Sequence, residues 1–377
     1  MHLLRSVTPS RQNDQAIDLG QNPAHLVILS AADSDLLPIQ AAYQGLVNAQ
    51  SNPPSLRLAH LLTLGHPASI DLYAETVLSH AKFVVVRLLG GDRYWSYGVK
   101  LLRRLAEEKG VKLALIAGEP NMDDSLTAHS TLPAAILQRI HAYFVAGGRE
   151  NAENLLGLLA SWVENPSESI DLSRFAPCHT TPPFGIYQNA DTARNPLPPT
   201  APVIKILFYR ALLVAGDLAP IDALVGALRQ RGAHAQPIFV PSLKDAEALD
   251  YLHHDCAENP PDLIITLTNF AAAATAAASN PSEPVNFAAQ NCPILQAILS
   301  SDSHKDWQNN TRGLNPRDLA MAVMLPELDG RLMGGVISFK QMGVRDPHTQ
   351  FATAHHQPVP ELIDHLADLA LAWVTLR

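Results

Sequence analysis

The feature that most constrains this chain is an alternation that occurs twice along it. Short runs of continuously apolar residues alternate with segments whose apolar residues recur at helical spacing. Strands that are apolar at every position are buried on both faces, which is typical of parallel sheets covered by helices on two sides. The apolar runs lie at 25–31, 56–62, 83–89 and 111–118, and again at 203–210, 235–241, 262–269, 293–299 and 335–340.

A proline-rich stretch separates the two series. Residues 165–202 contain prolines at 166, 177, 182, 183, 196, 198, 199 and 202, and each proline removes a donor from a regular hydrogen-bonding ladder. We therefore predict an α/β protein with two Rossmann-like or flavodoxin-like lobes, mostly parallel sheets and connecting helices. The first lobe with a helical pair takes residues 1–164, the linker 165–202 and the second lobe 203–377.

Composition excludes several classes of function. The formal charge is −9, from 27 Lys and Arg against 36 Asp and Glu. The chain therefore lacks the excess of basic residues that binding to nucleic-acid phosphates requires. No segment reaches the roughly 20 uninterrupted apolar residues of a membrane span. Three widely spaced cysteines, Cys178, Cys256 and Cys292, favour reduced thiols. We expect a soluble, cytoplasmic protein that binds neither nucleic acid nor membrane.

Loops after the predicted strands are the candidate binding regions, because ligands of open parallel sheets bind beyond the carboxyl ends of strands. In GGDRYW, Tyr94 and Trp95 either lie against a flat ligand or pack onto the next helix. In RALLVAGD, Arg210 is a planar cation suited to carboxylates. Asp217 in the same loop either contacts a ligand or caps the following helix.

Two further loops carry polar residues at comparable positions. Thr268, Asn269 and Phe270 follow the strand predicted at 262–269 and begin an Ala-rich loop. In LPELDGRL, Glu327 and Asp329 flank a glycine turn that also contains Arg331. These charges form either a self-satisfied turn network or a contact with a ligand or partner.

The sequence contains no recognised metal-binding or nucleotide-binding motif. Three pairs of neighbouring donors occur without the spacing of a known structural metal site: Cys178 with His179, His253 and His254 with Cys256, and His355 with His356. The sequence contains no GxxxxGK[ST], GxSxG, HExxH or CxxC motif. We predict no bound metal and no ATP hydrolysis by this chain alone, and we assign no catalytic residue.

Eight segments, in order, resemble the N-terminal part of the large subunit of cobaltochelatase. They are MHLLRS, LGQNPAHLVILSAADSD, VVVRLLGGDRYWSYGV, YFVAGGRENAENLL, KILFYRALLVAGDLAPIDALVGAL, IFVPSLKD, RGLNPRDLAMAVMLPELDGRL and ISFK. The related large subunit of magnesium chelatase shares the AGD and LPELDG pieces. Two positions depart from the family pattern, Leu212 in place of a histidine and Gly335 or Val336 in place of a basic residue, and the downstream HGxxEWLPGK-type motif is absent.

The resemblance implies a multi-subunit ligase of cobalamin biosynthesis. Such an enzyme inserts cobalt, as substrate, into the tetrapyrrole hydrogenobyrinic acid a,c-diamide, while an AAA+ ATPase subunit uses ATP and Mg and an adaptor subunit assists. It implies that Arg210, Asp217, Glu327 and Asp329 face substrate or another domain. This portion is expected to bind tetrapyrrole or dock subunits and to be inactive alone. The alternatives are a stand-alone two-lobed protein for a small ligand and a fragment resembling the magnesium chelatase subunit.

Overall fold

The computed structural model describes residues 16–49, 52–164, 171–188, 197–269 and 292–376. Two sheets organise these residues, and the mixed α/β architecture with mostly parallel sheets confirms the predicted fold class. In the part of the chain that the structure describes, no helix combines the length and apolar character needed to cross a membrane.

The first sheet has four strands, all parallel, in the order β2-β1-β3-β4. The strands are β1 (Leu26–Ser30), β2 (Leu56–His60), β3 (Phe83–Leu88) and β4 (Lys112–Ala117). Every residue of β1, β2 and β3 is buried, as their largely apolar sequences predict, and the buried residues include Arg57 of β2 and Arg87 of β3.

Six helices surround this sheet: α1 (Asp33–Ala49), α2 (Pro67–Thr76), α3 (Ser96–Lys109), α4 (Asp124–His129), α5 (Ala134–Ala146) and α6 (Arg149–Glu164). Alternate strand residues supply two separate cores, because successive side chains of a strand point to opposite faces. Val27 and Val84 pack in the core that contains α2 and α3. Ile28 and Val85 pack in the opposite core, with α1, α5 and α6.

The second sheet has seven strands in the order β11-β10-β9-β8-β6-β7-β5. They are β5 (Gly185–Ile186), β6 (Val203–Tyr209), β7 (His234–Val240), β8 (Leu263–Thr266), β9 (Ile294–Ser300), β10 (Leu332–Met342) and β11 (Ala354–Pro358). The five central strands are parallel, and the edge strands β5 and β11 are antiparallel to their neighbours. The sequence analysis did not predict either edge strand.

Helices on both faces of the second sheet are α7 (Arg210–Ala215), α8 (Ala219–Gln230), α9 (Ala246–Glu258), α10 (His304–Asn309), α11 (Pro316–Leu319), α12 (Leu325–Glu327) and α13 (Pro360–Thr375). α8 and α13 bury their apolar stripes on one face, and α9 covers the other. Leu212, the departure from the family histidine, lies fully buried in the α8 core.

Two local predictions were wrong. The loop predicted from Arg210 to Asp217 contains α7, which ends at Gly216 in a left-handed conformation (φ 71°) that glycine adopts without strain. In the second lobe, the apolar and polar spacing of residues 316–324 predicts one helix, whereas the structure has α11 followed by a π-helical turn, Ala320–Met324. Leu325 N–H bonds the carbonyl of Ala320, five residues back, and the following Pro326 has no N–H to continue the regular pattern.

A segment between β10 and β11, residues 343–353, joins the second lobe to the first. Arg57 Nη1 donates to the carbonyl of His348 at 2.7 Å, and Gln44 Nε2 donates to Asp346 Oδ2 at 3.1 Å. Asp346 is itself buried. The two lobes are therefore joined by partly buried polar contacts as well as by the covalent chain. The domain boundaries proposed from the sequence stay a prediction, which limited proteolysis would test.

Candidate functional site

The carboxyl ends of strands from both sheets meet at a cleft of about 260 Å³. Strand order reverses between β1 and β3 in the first sheet and between β6 and β8 in the second. Such switch points are where open parallel sheets bind ligands. The lining includes residues that follow or end β1, β3, β4, β6 and β7 and residues from the end of α5: Ser34, Arg87, Gly118, Phe144, Arg210 and Pro241.

On the first-lobe side of the cleft, a buried arginine pairs with a buried aspartate. Arg87 Nη1 donates to Asp35 Oδ1 at 2.5 Å, and Ser30 Oγ donates to Asp35 Oδ2 at 2.5 Å. Arg87 Nη2 donates to the carbonyl of Gly118 at 2.8 Å, and the guanidinium lies over the Phe144 ring. Because carbonyls and a carboxylate fix the guanidinium plane, Arg87 is a rigid wall of the cleft.

A second ion pair spans the two lobes. Lys340 Nζ of β10 donates to Asp33 Oδ2 at the start of α1, and the Lys340 side chain is only 10% exposed. His60, at the end of β2, places its Nε2 4.0 Å from the other Asp33 oxygen. Since both charges are nearly removed from water, each depends on the other for stabilisation.

Asp217 lies beside this pair. Both of its carboxylate oxygens accept the backbone N–H of His356 in β11, at 2.9 and 3.1 Å. Burial raises the pKa of Asp217 to about 6, against the lowering influence of that hydrogen bond and of Lys340. The capping alternative is wrong for this residue, because α8 has Leu218 at its N-cap and no side-chain cap bond.

His356 completes the buried cluster. It is 3% exposed, and burial together with the nearby Lys340 charge lowers its pKa to about 3. Its Nδ1 lies 3.4 Å from Ser338 Oγ. The imidazole is therefore neutral at physiological pH. The neighbouring carboxylate of Asp217 ionises at a pH only slightly below that range.

Arg210 begins α7 on the second-lobe side of the cleft. Its Nε donates to the carbonyl of Pro182 at 2.9 Å, and its Nη2 donates to the carbonyls of Ala146 and Thr181 at 3.1 and 3.0 Å. Burial lowers the pKa of Arg210, although a guanidinium remains charged. Carbonyls from two other parts of the chain thus orient this cation at the cleft.

The charged turn is largely self-satisfied. Arg331 Nη2 donates to Asp329 Oδ2 at 2.7 Å, and Nη1 donates to Gln296 Oε1 and to the carbonyl of Thr268 at 2.8 and 3.2 Å. Glu327 is exposed at the end of α12. This network ties β9, the end of β8 and the turn together, and none of its residues lines the cleft.

Outside the turn, the other predicted residues that the structure describes, except Arg210, do not line the cleft. The Asn269 carbonyl accepts the Tyr209 hydroxyl at 2.8 Å, and Phe270 lies outside the described residues. Tyr94 is 58% exposed, whereas Trp95 is 7% exposed and donates from its indole to the Leu64 carbonyl at 3.1 Å. Of the predicted residues that the structure describes, Thr268 and Asp329 meet through Arg331, and only Arg210 lines the cleft.

The packing of Trp95 gives a direct test. A Cβ at Gly98, in the first turn of α3, would lie 2.3 Å from the Trp95 ring. We expect Gly98→Ala to lower the free energy of unfolding by about 1–3 kcal/mol, as overpacked cores do, measured by urea denaturation. Gly157→Ala in α6, where nothing lies within 4 Å of the new methyl, is the matched control. It should stabilise by about 0.5–1 kcal/mol, and equal effects of the two changes would contradict this packing.

A larger groove lies at the edge of the second sheet, between α10 and strands β10 and β11, with a volume of about 700 Å³. Its floor includes the rings of His304 and Phe339, stacked with centroids 4.8 Å apart. Trp307 lies beside Phe339 at 5.0 Å. Phe339 is buried, so the groove offers the partly exposed His304 ring as its flat surface, in a volume typical of small-molecule sites. Within the described ranges, no group of three or more His, Cys, Asp or Glu side chains is arranged to hold a metal ion.

Five buried or nearly buried charged or polar residues of this region were not predicted from the sequence as site residues: Asp33, Asp35, Arg87, Lys340 and His356. Arg87 carried a usable signal, because a lone charged residue in an otherwise apolar strand needs a buried partner. The two aspartates directly follow the first strand, at the edge where such a partner is expected. Lys340 and His356 carried no comparable signal, since their partners come from distant parts of the chain.

The fold and the cleft define a two-lobed α/β protein whose strand ends meet at a shared site, and comparison with known proteins gives its family. The sequence model of the CobN/Magnesium Chelatase family matches residues 141–377. The chain therefore belongs to the CobN/magnesium chelatase family, which confirms the resemblance found in the sequence.

Individual relatives agree with this assignment. The chain is 36% identical over 390 residues to the aerobic cobaltochelatase subunit CobN of a Sinorhizobium species, covering 100% of this chain and 30% of that protein. It is 30% identical over 183 residues to the chloroplastic magnesium-chelatase subunit ChlH of Oryza sativa subsp. indica, covering 48% of this chain and 12% of that protein.

A solved structure shares the fold. The catalytic subunit of cobaltochelatase from Mycobacterium tuberculosis superposes with a TM-score of 0.65 at 27% identity, over 93% of this chain and 27% of that chain. This chain spans about 30% of the length of the curated cobaltochelatase relatives that it matches.

Proposed function

We propose that this chain is the N-terminal portion of the large subunit of an ATP-dependent cobaltochelatase, which inserts cobalt into hydrogenobyrinic acid a,c-diamide in cobalamin biosynthesis. The supporting observation is that similarity to the aerobic cobaltochelatase subunits covers 100% of the chain, against 48% for the rice magnesium-chelatase subunit. Cobalt is the substrate metal, an AAA+ ATPase subunit uses ATP and Mg²⁺, and an adaptor subunit assists. The proposal includes a cytoplasmic location, in keeping with the three free cysteines.

Within that enzyme, the proposed role of this portion is to bind the tetrapyrrole or to dock the other subunits, without catalysis on its own. The groove of about 700 Å³ favours the binding role, because pockets for small molecules span about 300–1,000 Å³. The partly exposed His304 ring, backed by the buried Phe339 ring, presents a flat surface suited to a flat conjugated ligand. The interlobe cleft of about 260 Å³ is too small for a whole macrocycle.

Absorbance titration of hydrogenobyrinic acid a,c-diamide with the purified chain tests the proposal. We expect a saturable shift of the tetrapyrrole spectrum, and His304→Ala should weaken binding about fivefold, because an aromatic stack contributes about 1 kcal/mol. His253→Ala, which removes an exposed histidine from α9, should leave the affinity unchanged.

A second measurement separates the docking role from the binding role. If the spectrum does not shift, co-purification with the ATPase and adaptor subunits still supports docking. The absence of both results would contradict the proposed function. Native mass spectrometry that finds a co-purified small ligand unrelated to tetrapyrroles would instead favour the two-lobed binding protein.

A further inference from the structure

Arg210 is a half-buried cation in the cleft with no carboxylate partner among the described residues. Its three hydrogen bonds go to neutral carbonyls, through Nε and Nη2, and none of the ion pairs of the described ranges includes it. Its Nη1 makes no hydrogen bond with a described residue, and Arg210 lines the cleft. A guanidinium that is partly desolvated, held in place and still has N–H donors without a protein acceptor favours binding of an anion.

The net charge of the residues that line the cleft indicates the charge of the ligand that fits there. Of the residues that line it, only Asp35, Arg87 and Arg210 carry a formal charge. Asp35 and Arg87 neutralise each other at 2.5 Å. The remaining charge is the single positive charge of Arg210, which matches a monoanion.

Shape and polarity point in the same direction. A volume of about 260 Å³ lies just below the range for drug-sized ligands and suits a small molecule or one side arm of a larger one. Much of the wall is apolar, from Phe144, Val145, Val214 and Pro241. Ser34, in the first turn of α1, adds a hydroxyl to the same wall.

We propose that the interlobe cleft is a binding site for one carboxylate group carried on a short aliphatic arm. The guanidinium of Arg210 binds the carboxylate through Nη1, and the apolar wall takes the methylene groups. This site is distinct from the groove between α10 and strands β10 and β11, so the inference does not rest on the proposed tetrapyrrole role. A carboxylate group reaches the cleft either as a free small acid or as an acid side arm of a tetrapyrrole.

Isothermal titration of the full chain with sodium propionate, at constant ionic strength, tests the site. We expect saturable binding of propionate and none of propionamide, its neutral counterpart. Arg210→Gln should weaken propionate binding at least tenfold, because a charge-assisted hydrogen bond contributes about 1.5–3 kcal/mol. Arg210→Lys, which keeps the charge but not the planar fork, should bind with intermediate affinity.

Arg312→Gln, which removes an exposed arginine, is the matched control and should bind propionate as the unmodified chain does. Far-UV circular dichroism and the urea midpoint establish that each variant is folded. Equal binding of propionate and propionamide, or unchanged propionate affinity in both Arg210 variants, would overturn the proposal, as would no saturable binding to the unmodified chain.

A competition experiment distinguishes the two sources of the carboxylate. If propionate displaces hydrogenobyrinic acid a,c-diamide, and Arg210→Gln weakens both ligands, the cleft holds an acid arm of the tetrapyrrole. If both ligands bind together, the cleft takes a free small acid. If propionate binds and the tetrapyrrole does not, the carboxylate site stands while the tetrapyrrole-binding role fails.

Discussion

Lys340→Met is expected to lower the free energy of unfolding by about 3–5 kcal/mol, because it leaves Asp33 buried without its cationic partner. Asp33 is 4% exposed, so water cannot replace the lost ammonium group. The pair also joins β10 of the second lobe to α1 of the first, and its loss should loosen the arrangement of the lobes. Urea denaturation at pH 7.5, followed by far-UV circular dichroism, measures the change.

The double variant Asp33→Asn/Lys340→Met tests whether the effect comes from the unpaired charge. Replacing both members of a buried pair by neutral groups costs much less than removing one, so the double variant should recover most of the lost stability. Lys244→Met, at an exposed lysine, should change stability by no more than about 0.5 kcal/mol. A loss below about 1 kcal/mol for Lys340→Met would mean that the ion pair is solvated in solution.

Asp217 and His356 are expected to make opposite contributions to the pH dependence of stability. The pKa of Asp217 is raised from 3.8 to about 6, so the folded protein binds its proton more tightly, and this contribution is lost as pH rises through about 6. The pKa of His356 is lowered from 6.5 to about 3, so its contribution is present above 6.5 and is lost as pH falls. Between about pH 4 and 6 the two slopes largely cancel, each about 1.4 kcal/mol per pH unit.

Single substitutions should reveal the two slopes. Relative to the unmodified protein, Asp217→Asn should gain about 1.4 kcal/mol per unit as pH rises from 4 to 6, reaching about 3 kcal/mol, and then stay level. His356→Gln should gain at a similar rate as pH falls below 6.5, apart from a constant packing offset. Urea midpoints at half-unit steps from pH 4.5 to 7.5 measure both differences.

The charged groups that face Asp217 determine the pH at which it titrates. Lys340 and His355 lower its pKa, and Asp33 raises it. Lys340→Met should therefore move the Asp217 transition to higher pH. Asp250→Asn, at an exposed carboxylate of α9, is the control. Difference curves for Asp217→Asn and His356→Gln that are as flat as this control would contradict the burial of both groups.

Much of the fold was predictable because its cause is local. Apolar runs such as 83–89 specify strands buried on both faces, and β3 (Phe83–Leu88) lies where that run predicted it. Helix ends also have local causes: Asn315 caps α11 through its side chain, and Gly110 ends α3 in a left-handed conformation. The edge strands β5 and β11 escaped prediction, since two residues of β5 and the polar sequence AHHQP of β11 carry no apolar pattern.

The site was predictable only where one residue type has a strong chemical preference. Arg210 was predicted as a candidate because it is a cation suited to carboxylates and follows a strand, and in the structure it lines the cleft. Trp95 was selected as an aromatic beside glycines, and the structure has it in the core with its indole bonded to Leu64. A loop position therefore indicates access to the strand ends, whereas the direction of each side chain depends on packing with other elements.

By itself, the sequence determined the alternation of strands and helices, the parallel character of both sheets and the order of motifs that marks the family. Only the tertiary structure decided which buried charges meet. Asp33 and Lys340 are separated by 307 positions, and Asp217 meets His356 across 139. The physical reason is that periodicity and capping act over a few residues, while the pairing of buried charges depends on how two separately predictable lobes pack against each other.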